Sequence, residues 1–384
     1  MRGVLTETFR RFFESEAAGS YLLVACTALS LALANSPAGP AYIALWQAKL
    51  GALSVQEWIN DALMAVFFLL IGLELERELY VGELSRRDEA LLPVFAAAGG
   101  MLAPAAIHLA LNHGGPAAFG FGIPMATDIA FAVGILAILG ARVPAALKVF
   151  IVAFAVMDDL GAIVVIAAFY SGELSLPWLA AAAAAFAALV ACNRSGKVWS
   201  LPFYLAGGAA LWFCMLRSGV HATLAGVLLA FAIPFRRGPS GVSPSNRLER
   251  ALHRPVAFGV LPLFALANTG VAVGPQALEA IAGPNGLGIV AGLLLGKPIG
   301  VTLACLAAVG VGLCRLPEEL RWAHVIGAGM LGGIGFTMSI FIANLAFADA
   351  PAAVDGSKLA ILIGSMLSGA AGCAWLALLR PRAP

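Results

Sequence analysis

Charged residues are scarce in this chain. They make up 11% of its 384 residues, whereas hydrophobic residues make up 61%, and a typical soluble domain contains about 25% charged residues. So few polar side chains cannot cover the surface of a soluble protein of this size. We therefore expect lipid around most of the chain, where backbone groups must bond to one another in helices or a closed barrel. The apolar runs are long and unbroken, which favours helices.

The sequence also lacks the patterns of several other protein classes. It contains no nucleotide-binding loop, no metal-ligand cluster and no nucleophile motif, so we expect no cofactor, no nucleic-acid partner and no enzyme activity. Its six cysteines show no paired spacing and are interpreted as small apolar packing residues; they are Cys26, Cys192, Cys214, Cys305, Cys314 and Cys373.

The first sixteen residues lack the short apolar stretch and cleavage site of a removable signal peptide. They alternate charged and aromatic side chains, as in the stretch Arg10 to Glu14. This pattern is typical of an amphipathic helix that lies on the membrane surface. We expect residues 1–16 to form such a helix on the cytoplasmic side.

Runs of about 20 apolar residues predict twelve membrane-spanning helices. The chain is therefore predicted to be an all-α polytopic membrane protein with a single transporter domain over residues 17–379 and a short cytoplasmic tail over 380–384. The predicted spans are 17–36, 60–80, 90–112, 120–139, 147–170, 176–192, 199–216, 220–236, 252–272, 287–310, 323–347 and 357–379.

The distribution of lysine and arginine predicts the orientation of these spans. With the N-terminus in the cytoplasm, nineteen of the 23 lysines and arginines fall on the cytoplasmic side, as the positive-inside rule requires. The outer loops hold only Lys49, Arg217 and Lys358, and Lys297 lies inside a span. We therefore expect both termini in the cytoplasm of a bacterium, with the spans in its inner membrane.

The longest loops are predicted at residues 37–59 and 237–251. The first contains a short alternating stretch, with Leu53 and Val55, that is compatible with a small hairpin outside the membrane. The second contains Gly-Pro-Ser and Ser-Pro-Ser turn signals.

Four ionisable residues lie near the middle of predicted spans: Asp128, Asp158, Asp159 and Lys297. Each costs about 2.5–3.5 kcal/mol at the membrane centre. The four together would strongly destabilise the protein unless they were paired or had a function. One interpretation is that Lys297 only neutralises one aspartate in a buried ion pair that fixes the helix register. That pairing leaves two carboxylates, and the excess negative charge predicts a site for a cation, for protons, or for both.

Two predicted spans are interrupted. Pro124 lies just before Asp128, where it removes a backbone donor, and three glycines crowd the stretch Gly332 to Gly335, where each weakens a helix by about 1 kcal/mol. Close helix packing through small residues is the alternative explanation. However, each interruption falls in the middle member of a trio of spans, and the two trios have opposite orientations. This arrangement indicates inverted-topology repeats with two interrupted helices that cross at a central site.

Six stretches resemble the NhaA-type sodium/proton antiporters, in the same order and over nearly the whole chain. They are NDALMAVFF at 60–68 with GLE at 72–74, ATDIAFA at 126–132, DDLGAI at 158–163, GVHATLAG at 219–226, GKP at 296–298 and GIGFTMSIFIA at 333–343. This family is itself among those known to contain inverted repeats, so the resemblance implies the same architecture here.

The resemblance implies roles for the residues at the break. Asp159 would be the principal carrier of the cation and the proton, and Asp158 would be its partner, paired with Lys297 in the ion-free state. Thr127 would supply an additional oxygen ligand. Asp128 would offset the positive ends of the two broken helices, and Lys297 would help to offset their negative ends.

The resemblance also implies a set of residues that tune activation by pH, and a homodimer formed through the 37–59 loop. The pH-sensing residues would be Glu74, Glu78, Glu249, His253 and His221. The chain departs from the family pattern at Arg250, where we expect histidine, at Glu76, where we expect lysine, and at Met125, where we expect alanine. The first two departures lie in the pH-sensing region and concern the pH range of activation.

These observations together predict a secondary active antiporter that exchanges cytoplasmic Na⁺ or Li⁺ for external H⁺. Sodium is a hard cation that prefers oxygen ligands, and protons compete with it for the same carboxylates. Two rival functions remain. A proton-coupled carrier of organic anions would need convergent positive charge, and an intramembrane aspartyl protease would need two aspartates on separate helices, one of them in a Gly-x-Gly-Asp context.

Overall fold

The computed structural model describes residues 7–82, 87–236, 238 and 241–379. In these residues the chain is almost entirely helical, with one small hairpin. The α-helices are α1 (Glu7–Ala34), α2 (Gly39–Gln47), α3 (Val55–Trp58), α4 (Met64–Val81), α5 (Arg87–Leu111), α6 (Ile129–Leu139), α7 (Ala145–Phe169), α8 (Leu176–Ser195), α9 (Leu201–Ser218), α10 (Leu224–Ala232), α11 (Pro244–Pro255), α12 (Leu261–Asn268), α13 (Pro275–Ala282), α14 (Pro284–Ala291), α15 (Lys297–Gly310), α16 (Trp322–Gly332), α17 (Phe336–Ala346) and α18 (Pro351–Leu378).

Three π-helical turns join α-helices into longer segments. They cover Ile59–Leu63 between α3 and α4, Val256–Val260 between α11 and α12, and Gly292–Gly296 between α14 and α15. A 3₁₀-helix of ten residues, Pro116–Met125, precedes α6. Such π turns insert one extra residue into a helix and occur often at functional sites.

Ten segments of the described chain are long and apolar enough to cross a membrane. Eight are single continuous helical segments, and two are bent pairs: Pro116–Met125 with α6, bent by 40°, and α16 with α17, bent by 47°. This confirms the predicted all-α polytopic fold and its two interrupted helices. Ten of the twelve predicted spans are therefore confirmed. The remaining two predicted spans, 199–216 and 220–236, correspond to α9 and to the nine-residue α10.

The predicted loops contain more helix than expected. Helix α2 lies within the 37–59 loop, and α11 begins at Pro244, inside the predicted 237–251 loop. A search for apolar runs misses α11 because this helix is strongly amphipathic and polar on average. The small hairpin is present: Lys49 pairs with Ser54 and Leu50 with Leu53 in antiparallel register.

The predicted ends of the chain lie partly outside the described residues. Residues 1–6 and the tail 380–384 are not described, and residues 7–16 belong to α1, which continues without a break to Ala34. The expected surface helix over residues 1–16 and the cytoplasmic tail therefore stay predictions.

The described chain divides into two compact units. The first comprises the described residues within 7–39, 87–162 and 268–379, and the second comprises those within 40–82 and 163–267. In the first unit α5 and α15 pack closely through Gly99 and Gly300, since a Cβ on Gly99 would lie 2.2 Å from the Gly300 carbonyl oxygen. In the second unit α4 and α10 meet in the same way, and a Cβ on Gly226 would lie 2.1 Å from the Ala65 carbonyl oxygen. Small residues are what bring membrane helices so close together.

Candidate functional site

The first unit positions the four ionisable residues through its two broken helices and the long helices α7 and α15. Residues 126–128, after Pro124, are not helical, as expected where proline interrupts a helix. Asp128 ends this stretch as the N-cap of α6, and its carboxylate accepts a hydrogen bond from the Phe131 amide at 3.2 Å. The break therefore places Thr127 and Asp128 where the helix is interrupted, and not on the side of a continuous helix.

Asp128 joins the two breaks. Its other carboxylate oxygen accepts hydrogen bonds from the Thr337 amide at 3.1 Å and from the Thr337 hydroxyl at 2.6 Å. Its own amide donates to the Ile334 carbonyl at 2.6 Å. One carboxylate thus lies against the N-termini of both α6 and α17, where the helix dipoles place positive charge. This is the position that the resemblance implied for it.

The C-terminal ends at the two breaks receive hydroxyl donors. The Thr127 hydroxyl donates to the Gly332 carbonyl at 2.7 Å, at the end of α16. The Ser339 hydroxyl donates to the Ile123 carbonyl at 2.6 Å, near the end of the 3₁₀-helix. These bonds satisfy carbonyls that the interrupted helices leave without their regular partners.

Lys297 is fully buried and forms an ion pair with Asp158, with 2.5 Å between Nζ and Oδ2. The same ammonium donates to the Thr127 hydroxyl at 3.0 Å and lies 5.6 Å from the centre of the Phe154 ring. Since hydrocarbon gives no hydration to an ammonium, this carboxylate, hydroxyl and ring together replace water around it.

Asp159 is 2% exposed and lies close enough to Lys297 for an electrostatic interaction. Among the described residues, the group at the two breaks therefore holds three buried carboxylates and one buried ammonium, that of Lys297. The other buried ammonium of the first unit, that of Lys358, interacts with Asp355 on α18. Because one ammonium can neutralise only one carboxylate, the site needs further positive charge. Its carboxylate and hydroxyl oxygens are the ligand type that hard cations prefer.

A second cluster of charges lies in the second unit, between α4 and α11. Arg77 bonds to Glu249 through Nε at 2.8 Å and to Glu78 through a terminal nitrogen at 2.9 Å. His253 lies 3.8 Å from Glu74. The structure thus brings together four of the five residues that were expected to sense pH.

The fifth, His221, lies elsewhere. Its Nδ1 is 2.8 Å from the Thr223 hydroxyl and its Nε2 is 3.6 Å from the Asp61 carboxylate. Asp61 precedes Glu74 by thirteen residues of the same helical segment, which corresponds to about 20 Å. His221 therefore does not belong to the group that surrounds Arg77, which we call the Arg77 cluster. This cluster consists of Arg77, Glu74, Glu78, Glu249 and His253.

Several residues of both clusters were not singled out from the sequence. Thr337 and Ser339 lay within a quoted stretch but had no assigned role, and Arg77 had been counted only as a loop charge. Glu76, noted as a departure, is 3% exposed and accepts a hydrogen bond from the Ser245 hydroxyl at 2.6 Å. Position in a shared stretch was the available signal for Thr337 and Ser339; for the Glu76 and Ser245 pair the sequence offers none.

Comparison with known proteins agrees with this geometry. A family model described as Na⁺/H⁺ antiporter 1 matches residues 10–376. The chain is 58% identical over 373 residues to a protein named Na⁺/H⁺ antiporter NhaA from Dechloromonas aromatica, covering 97% of this chain and 96% of the relative. It is 51% identical over 372 residues to a protein of the same name from Cytophaga hutchinsonii, covering 97% and 95%. For one from Vibrio campbellii the identity is 48% over 370 residues, covering 96% and 94%. The match extends over nearly the whole chain, and the chain therefore belongs to the Na⁺/H⁺ antiporter 1 family, whose members are described as transporters and not as enzymes.

Proposed function

We propose that this protein is a secondary active antiporter that exchanges cytoplasmic Na⁺ or Li⁺ for external H⁺ at Asp158 and Asp159. The observation that carries the proposal is the surplus of buried carboxylates over buried cations at the two breaks, where Asp128, Asp158 and Asp159 face one ammonium, that of Lys297. A buried carboxylate needs a compensating positive charge, which an ammonium, a proton or an alkali cation can each supply.

Competition between these cations produces the exchange. In the ion-free state Lys297 neutralises Asp158, and a proton neutralises Asp159. An arriving Na⁺ takes oxygen ligands from both carboxylates and from the Thr127 hydroxyl, and it displaces the Lys297 ammonium from Asp158. Since a protonated carboxylate binds Na⁺ poorly, the proton leaves before the cation binds. Access that alternates between the two sides of the membrane then couples the two fluxes.

We further propose that exchange is electrogenic. Asp159 and either Asp158 or Lys297 both change protonation, so more protons than sodium ions move in each cycle. In proteoliposomes an imposed membrane potential should then change the exchange rate, since moving one charge through 100 mV corresponds to about 2.3 kcal/mol. A rate that is independent of the imposed potential contradicts this part of the proposal.

The Arg77 cluster is the proposed site of activation by pH. It contains Glu74, Glu78, Glu249 and His253, which are all partly buried, so their charges interact more strongly than charges in water. A change in pH alters these charges and thereby the packing of α4 against α11. His221 is proposed to tune the pH response separately, through Asp61.

Three further features are proposed from the sequence. Both termini lie in the cytoplasm and the spans in the bacterial inner membrane, as the lysine and arginine distribution predicts. Two copies associate through the 37–59 loop with its hairpin. Deletion of residues 49–54 should convert a dimer into a monomer in light scattering of the detergent-solubilised protein, whereas an unchanged mass excludes this interface.

Purified protein in proteoliposomes that contain a pH-sensitive dye tests the exchange. Addition of Na⁺ or Li⁺ should dissipate an imposed proton gradient, and Asp159→Asn should reduce this rate at least a hundredfold without loss of the folded protein. Asp349→Asn, which replaces an exposed aspartate after α17, is the matched control and should keep the wild-type rate. Normal exchange by Asp159→Asn, or proton flux that ignores both cations, refutes the proposal; a flux driven by organic anions would favour the rival carrier.

A further inference from the structure

Two of the buried serines on helix α18, Ser365 and Ser368, lie three residues apart and therefore on one face of the helix. Both bond to backbone groups of other helices. The Ser365 hydroxyl oxygen accepts a hydrogen bond from the Gly335 amide at 3.2 Å. The Ser368 hydroxyl lies 2.7 Å from the Met330 carbonyl oxygen and 3.3 Å from the Leu293 carbonyl oxygen.

The Leu293 carbonyl belongs to the π turn that immediately precedes Lys297. In a regular α-helix its donor would be the Lys297 amide, but that amide binds the Gly292 carbonyl instead. The donor one residue further along would be Pro298, which has no N–H group. The π turn and the proline together deprive this carbonyl of its regular helical donors, and Ser368 supplies a hydroxyl from another helix.

The Met330 carbonyl lies in the last turn of α16, just before the break. Its regular donor would be the Ile334 amide, which binds the Leu331 carbonyl at 3.1 Å instead, so the Met330 carbonyl accepts from the Gly333 amide at 3.1 Å and from the Ser368 hydroxyl. The Gly335 amide, which Ser365 accepts from, lies on the other side of the same break at the N-cap of α17. The two serines thus hold backbone groups on both sides of the break.

Glycines bring these elements close enough to share one hydroxyl. A Cβ on Gly333 would lie 2.2 Å from both the Leu293 carbonyl oxygen and the Ser368 hydroxyl oxygen. A Cβ on Gly364, one turn before Ser368 on α18, would lie 3.0 Å from a Leu293 methyl group. The π turn, the break and α18 therefore come into close contact at these two glycines.

We propose that Ser368, with Ser365, is a positioning residue for ion exchange: its hydroxyl ties the π turn before Lys297 to the break that carries the Gly332 carbonyl. The inference rests on the proposed function of Lys297, Asp158 and Thr127. The bond fixes where the Lys297 backbone starts and where the Thr127 hydroxyl finds its acceptor. Ser368 itself touches no transported ion.

Ser368→Ala removes the one hydroxyl proton that the Leu293 and Met330 carbonyls share. The Met330 carbonyl keeps its bond from the Gly333 amide, whereas the Leu293 carbonyl loses its donor from α18. We expect the apparent affinity for Na⁺ to fall about tenfold, as for a buried group that loses its hydrogen bond, and the midpoint of the pH profile to move, while the maximal rate changes less than twofold. Na⁺ binding to the detergent-purified protein by calorimetry and exchange in proteoliposomes are the two measurements.

Ser357→Ala is the matched control. Ser357 is equally buried on α18, but its hydroxyl donates to Ala353 of the same helix and accepts from Asn285. Its replacement should leave Na⁺ affinity and the pH profile within twofold of the wild type. Ser368→Cys preserves the side-chain volume with a weak donor and should resemble Ser368→Ala.

The outcomes separate the two proposals. Wild-type protein that fails to exchange Na⁺ for H⁺ refutes the proposed function. If the wild type exchanges normally and Ser368→Ala matches Ser357→Ala, only the positioning role is refuted. A Ser368→Cys variant that behaves as the wild type also refutes it, because packing volume would then replace the hydrogen bond as the cause. Should Ser368→Ala not fold, the same comparison between Ser368→Cys and the control decides.

Discussion

The charged residues of the two compact units lie in different surroundings. In the first unit Asp158 and Lys297 have no exposed side-chain surface, and the group contains more carboxylates than cations. In the second unit the Arg77 side chain is 38% exposed and its partner Glu249 is 15% exposed. Complete burial makes the first group dependent on an added cation, whereas partial exposure keeps the second group in contact with bulk pH and salt. The same residue types are therefore suited to ion exchange in one unit and to regulation in the other.

The sharpest test of this contrast is to remove one partner of the buried ion pair. Lys297→Met leaves Asp158 without its ammonium, and we expect a loss of about 3–5 kcal/mol in the free energy of unfolding. Thermal unfolding in detergent measures it. The double variant Asp158→Asn with Lys297→Met should recover most of the stability, but not the transport. Equal stability of the single and double variants would mean that the pair is not electrostatically coupled.

The next largest effect is expected at Asp128, which caps two helices at once. Asp128→Asn places an amide group where Asp128 Oδ2 accepts from Thr337, or where Oδ1 accepts from Phe131. Loss of one bond to a charged acceptor corresponds to about 1.5–3 kcal/mol. Thr337→Val removes the hydroxyl but keeps the amide bond, so it should cost less. A Thr337→Val variant less stable than Asp128→Asn in the same unfolding assay contradicts this order.

In the second unit, substitution of Arg77 should affect regulation more than stability. Arg77→Gln removes a partly exposed cation, so the free energy of unfolding should change by about 1 kcal/mol or less. The carboxylates beside it lose their positive partner, and the midpoint of activation should move to higher pH in the dye assay. Because salt screens exposed charges, this displacement should shrink as ionic strength rises. If the shift in the activation midpoint did not depend on salt, Arg77 would behave electrostatically like the fully buried groups, which contradicts the expected contrast.

The smallest effect is expected at Glu76. A glutamine carbonyl can accept the same hydrogen bond from Ser245, so Glu76→Gln should change the unfolding free energy by about 0.5 kcal/mol or less. Its effect on the pH profile should be smaller than that of Arg77→Gln. A larger displacement would show that Glu76 itself titrates during activation, which extends the Arg77 cluster by one carboxylate.

Parts of the site followed from local sequence signals. Pro124 and the glycines from 332 to 335 predicted where two helices break, because proline lacks an amide donor and glycine is a weak helix former. Helix α11 was missed because it is polar on average, so a search for apolar runs does not detect it. Helix α10 is shorter than the span predicted around it. Local patterns identify elements, but they do not measure how far each element extends in the packed protein.

Other parts depended on contacts distant in sequence. Asp158 and Asp159 are adjacent and about 100° apart on a helix, so spacing alone cannot tell which one meets Lys297; in the structure the Lys297 ammonium pairs with Asp158. His221 was predicted to tune the response to pH, but nothing in the sequence indicated that it lies beside Asp61. The π turn before Lys297 and its bond to Ser368 have no signal in the sequence, since both arise from helices that meet around glycines.

The membrane environment, the helical class, the two interruptions and the excess of acids over bases inside the predicted spans follow from the sequence. These properties follow from composition and local backbone preference, which act within a few residues. Local patterns do not show which acid pairs with Lys297, that Asp128 caps two helices, or that Ser368 joins a π turn to a break; these features depend on how the helices pack. Hydrogen bonds and ion pairs depend on distances of about 3 Å, and such distances between remote residues are set only when the helices pack.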